Sequence, residues 1–87
     1  MEKRKVNFCK LFGAHLRKIR ENKKIGMREF ALLAEIEYSQ LSKIEKGTTN
    51  PTLFTIIKLS NALKIEHSEL FKFELNNEVI SSIKTEN

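Results

Sequence analysis

A single cysteine, Cys9, leaves this chain without an intramolecular disulfide and fits a reducing compartment. Cys9, His15 and His67 are also too scattered for a zinc site, whose ligands come in close pairs. With only three glycines there is no Gly-rich loop to cradle a nucleotide, and no motif sets a nucleophile beside a base. Neither an enzyme nor a cofactor is expected. No apolar run approaches the roughly 20 residues of a membrane-spanning helix, and the N-terminus lacks the apolar stretch of a signal peptide. The chain is therefore expected in the cytoplasm, with no membrane partner. Up to Phe71 no segment alternates as a half-buried strand would, and there is no internal repeat or low-complexity tract. These absences leave an all-α fold.

What is present fits one small domain. The chain has 87 residues, 40 % of them hydrophobic, enough for a core that is marginal and that oligomerisation would help. Its net charge of +5 is unevenly spread. Up to Arg28 the basic residues are opposed only by Glu2 and Glu21, whereas from Glu66 onward Lys72 and Lys84 meet Glu66, Glu69, Glu74, Glu78 and Glu86. A basic front and an acidic tail suggest one face for a polyanion and another for a different partner; the alternative is an unevenly charged, solvated surface. Lys3-Arg4-Lys5 is either a basic arm for a nucleic-acid backbone or minor groove, or a solubilising tip.

Phe8, Phe12, Leu16 and Ile19 mark one face of a helix from about residue 7 to residue 23. Gly26 breaks that pattern, and a short second helix carries Phe30, Ala31 and Ala34 inward. A tight turn around Glu35 and Ile36 leads to a third helix over residues 37–46, stopped by Gly47. Helix, tight turn, helix is the helix-turn-helix unit. In the third helix Leu41, Ile44 and Glu45 point inward, while Tyr38, Ser39, Gln40 and Lys43 form an outward row of donors and acceptors. A helix of this diameter enters the major groove of DNA, where base edges present a readable pattern. Lys43 suits guanine O6 or N7, Gln40 suits adenine, and Tyr38 offers a hydroxyl for phosphate or a ring for a thymine methyl.

Thr48-Thr49-Asn50-Pro51-Thr52 has strong turn chemistry, with Asn50 or Thr52 available to cap the next helix. That helix is expected to bury Leu53, Ile56, Ile57, Leu59 or Ser60, and Leu63. After a break at Lys64 and Ile65, a final turn or two of helix surrounds Ser68-Glu69-Leu70-Phe71. The tail, residues 73–87, is either a short helix or a hairpin-like arm, and both leave an apolar stripe. A second copy of the chain would cover it, through Leu70, Phe71, Phe73, Val79, Ile80 and Ile83. The organisation expected is thus a basic tip at 1–6, a helix-turn-helix domain at 7–72 and a tail, possible dimerisation element, at 73–87.

From Phe12 to Phe71 the chain resembles the Cro and lambda-repressor type of helix-turn-helix domain, a compact five-helix fold of phage and bacterial regulators. The resemblance rests on Leu16-Arg17-Lys18-Ile19-Arg20, Glu29-Phe30-Ala31, Ser42-Lys43-Ile44-Glu45-Lys46-Gly47, Asn50-Pro51-Thr52-Leu53, Leu59 to Leu63, and Glu69-Leu70-Phe71. It implies base contacts by Tyr38, Ser39 and Lys43, and a base or phosphate contact by Gln40. It implies phosphate contacts by Met27 and Arg28 at the start of the second helix, and by Lys46, Thr48, Thr49 and Asn50 after the third. It implies a structural ion pair between Arg20 and Glu45. Five positions depart from the pattern. Met27 stands where a glutamine is usual, Glu35 where glycine is usual, Glu37 brings a carboxylate near phosphate, and Leu32-Leu33 replace polar residues.

The function this implies is sequence-specific binding of double-stranded DNA by a homodimer, regulating transcription at a near-palindromic operator. The alternatives are an antitoxin that also binds a toxin, the controller of a restriction–modification system, or a protein-interaction adaptor without DNA binding.

Overall fold

A computed structural model describes residues 3–75. Among them are four α-helices, α1 (Lys3–Asn22), α2 (Met27–Ala34), α3 (Tyr38–Lys46) and α4 (Leu53–Leu63), then a 3-10 helix at His67–Phe71, with no strand. Helix α1 begins at Lys3 rather than near Asn7, so Lys3, Arg4 and Lys5 are its first turn and not a free arm. Nothing between Lys3 and Phe12 breaks a helix, and the periodicity extends backward without hindrance.

Each α-helix stops the same way, at one residue in the left-handed conformation: Lys24 (φ 59°), Glu35 (φ 56°), Gly47 (φ 75°) and Lys64 (φ 57°). In each case the next residue donates to a carbonyl five positions back, as in Ile25 N–H to Arg20 O, Ile36 N–H to Ala31 O, Thr48 N–H to Lys43 O and Ile65 N–H to Ser60 O. Three of the donors are isoleucines that fold back onto the core, the apolar contact that accompanies this cap. Glu35 therefore carries the strain of a side chain in a glycine-like backbone, about 1 kcal/mol. Gly26 does not end α1. It is the extended N-cap of α2 (φ −74°, ψ 163°), a conformation open to any residue.

The core gathers one stripe from every element: Cys9, Phe12 and Leu16 from α1, Phe30, Ala31 and Ala34 from α2, Leu41 and Ile44 from α3, Ile56, Leu59 and Leu63 from α4, and Leu70. Burial pushes the Cys9 thiol pKa up, with the Lys5 charge partly opposing it. Helix α4 buries Ile56, Leu59, Ser60 and Leu63 as expected, but departs at three positions. Thr55 is buried, whereas Leu53 and Ile57 are exposed, Leu53 by 84 %. The buried hydroxyls cost little because each is bonded, Thr55 Oγ1 to Thr52 Oγ1 and Ser60 Oγ to Ile57 O. Thr52 is the cap of α4, accepting from Thr55 N–H at 3.2 Å.

Leu70 is fully buried inside the chain and is no part of an exposed dimer surface, because the 3-10 helix packs it between α1 and α4. The chain then returns across α1. His15 Nε2 lies 2.8 Å from Glu69 O, and the Phe73 ring meets Phe8 and Phe12 at centroid distances of 5.8 and 6.5 Å. Val79, Ile80 and Ile83 lie outside the described residues.

Candidate nucleic-acid interface

Helix α3 is held on three sides and open on the fourth. Its inner face is anchored by Leu41 and Ile44, both buried, and the turn from α2 is fixed by the left-handed Glu35. At its far end α1 runs against it without intervening side chains. A Cβ at Gly13 would collide with the carbonyl of Ile44 and lie 2.6 Å from the carbonyl oxygen of Glu45. A Cβ at Gly47 would strike the backbone of Lys10. One turn of α1 and the last turn of α3 therefore touch backbone to backbone, and glycine alone permits it.

Beside this contact Arg20 and Glu45 form a two-pronged ion pair, Nε to Oε2 at 2.7 Å and Nη2 to Oε1 at 3.0 Å. Both side chains are below 10 % exposed, at 9 % and 6 %. The remaining prong of Arg20 donates from Nη1 to Ile25 O at 2.9 Å, so one guanidinium ties α1 to both α3 and the loop before α2. Its hydrogen bond to the Glu45 carboxylate raises the Arg20 pKa above its ordinary value, against the opposing effect of burial.

Tyr38, Ser39, Gln40 and Lys43 all lie exposed on α3, with Lys46 in the last turn. Arg28, also exposed, sets its guanidinium carbon 4.9 Å from the centroid of the Tyr38 ring. Between α1, α2 and α3 lies a hollow of about 360 Å³ lined by Arg17, Arg20, Met27, Tyr38, Ser42, Glu45 and Lys46. Met27 is half-buried against the core, which leaves the backbone of the α2 N-terminus, rather than its side chain, as the polar group there. Glu37 precedes α3 without making a side-chain cap. In the following loop, Thr48 spends its hydroxyl on Lys43 O at 3.3 Å, Thr49 is half-buried and Asn50 is exposed. Arg17 was missed by sequence reasoning, since only the packing of three helices brings it to the rim of the hollow.

Among the described residues no group of three or more His, Cys, Asp or Glu side chains is placed to hold a metal ion. No described helix is long and apolar enough to cross a membrane.

An anchored helix with an open polar face, preceded by a second short helix and a tight turn, defines a helix-turn-helix domain. The family model described as helix-turn-helix matches residues 16–70. The chain is 33 % identical over 65 residues to an uncharacterised HTH-type transcriptional regulator, y4dJ, of Sinorhizobium fredii, covering 75 % of this chain and 84 % of the relative. It is 34 % identical over 68 residues to the control protein C.BamHI of Bacillus amyloliquefaciens, covering 77 % and 84 %. The crystal structure of the restriction–modification controller C.AhdI of Aeromonas hydrophila superposes with a TM-score of 0.72 at 36 % identity, covering 74 % of this chain and 97 % of that one. This chain belongs to the helix-turn-helix family of DNA-binding transcriptional regulators.

Proposed function

We propose that the chain is a homodimeric regulator of the Cro and lambda-repressor type, which reads a near-palindromic operator through α3. The observation that carries this is the exposed row Tyr38, Ser39, Gln40 and Lys43 on a helix fixed to the core by its other face. Preorganisation matters here, since a groove-reading helix that had to be ordered on binding would lose affinity to entropy. Phosphates are taken by the basic groups around the row, namely Arg28, Lys46 and the backbone at Met27, with Thr49 and Asn50 at the loop. These contacts set register and give affinity that falls with salt; the α3 side chains give selectivity.

The test is selection of bound sequences from a random duplex pool at two salt concentrations, with Lys43→Ala in parallel. The expected result is a two-fold motif that weakens in salt. For the variant, one position in each half-site should lose discrimination by about tenfold, the scale of one specific base contact. Selection of no motif by the parent chain overturns the reading.

With Leu70 withdrawn into the core, dimerisation is assigned to one group of exposed apolar side chains on α4 and beside it. Leu53, Phe54 and Ile57 form one stripe on α4, exposed by 84 %, 70 % and 41 %, and Phe71 shares an apolar hollow with Leu53. An apolar stripe of this kind on a small domain marks a contact surface, and a two-fold axis through it presents two α3 helices to successive grooves. Phe54→Glu is expected to keep the helical fold by circular dichroism, to lower the melting temperature only by the share that association contributes, and to shift a micromolar sample from dimer to monomer in analytical ultracentrifugation. A dimer unmoved by Phe54→Glu places the contact elsewhere.

Among regulatory roles, control of a restriction–modification system has a specific support, the likeness to two control proteins over most of their lengths. A binding site for this chain upstream of its own coding sequence and of an endonuclease would establish that role.

A further inference from the structure

We propose that Arg28 is a positioning residue for base reading: its guanidinium holds the Tyr38 ring in one orientation at the leading edge of α3 and so determines which base Tyr38 selects. The proposal rests on the reading of α3 as the DNA-facing helix and goes beyond a phosphate contact for Arg28.

Tyr38 is the first residue of α3 and is 44 % exposed. An exposed ring on a helix end samples several rotamers, and each contact it makes must overcome the entropy of choosing one. The Arg28 guanidinium, 4.9 Å from the ring centroid, lies inside the roughly 6 Å range of a cation–π contact. On another side the ring lines the hollow that it shares with Arg20 and Met27. No carboxylate pairs with Arg28 among the described ion pairs, so its cation is available to the ring. The two helices are packed on each other through one core, which Phe30 and Ala31 of α2 share with Leu41 of α3. A planar cation on a fixed α2 therefore selects one tyrosine rotamer on a fixed α3. With α3 as the DNA-facing helix, a single rotamer offers its hydroxyl and ring edge to a single base step.

Two measurements test this, one without DNA. Tyr38 is the chain's single tyrosine and there is no tryptophan, so its ring resonances are free of overlap from a second tyrosine. In the free protein the Arg28 side-chain protons are expected upfield of their usual positions because of the Tyr38 ring current, and Tyr38→Leu should return them. Unshifted Arg28 protons overturn the proposal whatever the DNA result.

The second measurement compares the selected motif for the parent, Arg28→Met, Arg28→Lys, Tyr38→Leu and the Arg28→Met/Tyr38→Leu pair. Arg28→Met is expected to lower discrimination about two- to fivefold at the same base position that Tyr38→Leu affects. The pair should lose no more than Tyr38→Leu alone, and Arg28→Lys should restore part of the preference. A uniform loss of affinity with every base preference intact would make Arg28 a phosphate contact only and overturn the proposal. A parent chain that selects no motif would instead retire the DNA-facing reading of α3, with the ring-current result still deciding whether the clamp exists.

Discussion

Arg20→Ala is expected to destabilise the domain by about 3–5 kcal/mol, the usual consequence of removing one partner from a buried ion pair. The physical cause is less the lost attraction than the group left behind. Without Arg20 the Glu45 carboxylate, 6 % exposed, has no cation within the ion-pair geometry described, and Ile25 O loses a donor as well. For a domain of this size each kcal/mol moves the melting temperature by roughly 4–8 °C. A fall of at least about 12 °C by circular dichroism is therefore expected. Glu45→Ala should cost a similar amount, and the Arg20→Ala/Glu45→Ala pair less than the sum of the two, because removal of both charges leaves neither stranded. An unchanged melting temperature for Arg20→Ala would mean that the pair does not hold α1 to α3.

Gly13→Val is expected to cost about 3 kcal/mol, the upper end of ordinary overpacking. Most overpacked sites relax by moving a side chain. Here the atoms in the way are the carbonyls of Ile44 and Glu45, so relief requires displacing α3 itself. The same displacement disturbs the Arg20–Glu45 pair next to it, and DNA binding should fall together with stability. Ala14→Val is the control, placing the same side chain on the same helix at an exposed position. Equal melting temperatures for the two variants would remove Gly13 from the α1–α3 contact.

These two sites differ in how far they could be read beforehand. Arg20 and Glu45 are 25 residues apart, and neither periodicity nor spacing joins them; family resemblance suggested the pair, and the bond lengths come from the packing. Gly13 was passed over entirely, although a glycine in the middle of a helical pattern is itself a signal of close approach. The outward row on α3 was legible in full, since Leu41 and Ile44 define an inner face and three- to four-residue spacing assigns the rest. The cap of α4 was legible to within two candidates, Asn50 and Thr52, of which the structure uses Thr52.

Helix α4 shows where such reading stops. Leu53, Ile56, Ile57, Leu59, Ser60 and Leu63 allow more than one apolar stripe, and composition points to the most hydrophobic one. The fold buries Ile56, Leu59, Ser60 and Leu63 of that set and adds Thr55, leaving Leu53 and Ile57 outside; the two hydroxyls are tolerated because each is bonded, to the Thr52 cap and to Ile57 O. Leu70 was drawn inward by the same logic, filling a space between α1 and α4 that no local pattern reveals.

By itself the sequence determined the all-α class, the placement of the helix-turn-helix unit and the exposed polar face of α3. These follow from periodicity and caps, whose interactions span a few residues. The tertiary structure alone decided how α1 crosses α3 at Gly13 and Gly47, which face of α4 stays outside the chain's own core and where Arg28 meets Tyr38. Those depend on which surfaces meet once the helices pack, and burial is a property of the assembled neighbours rather than of any one segment.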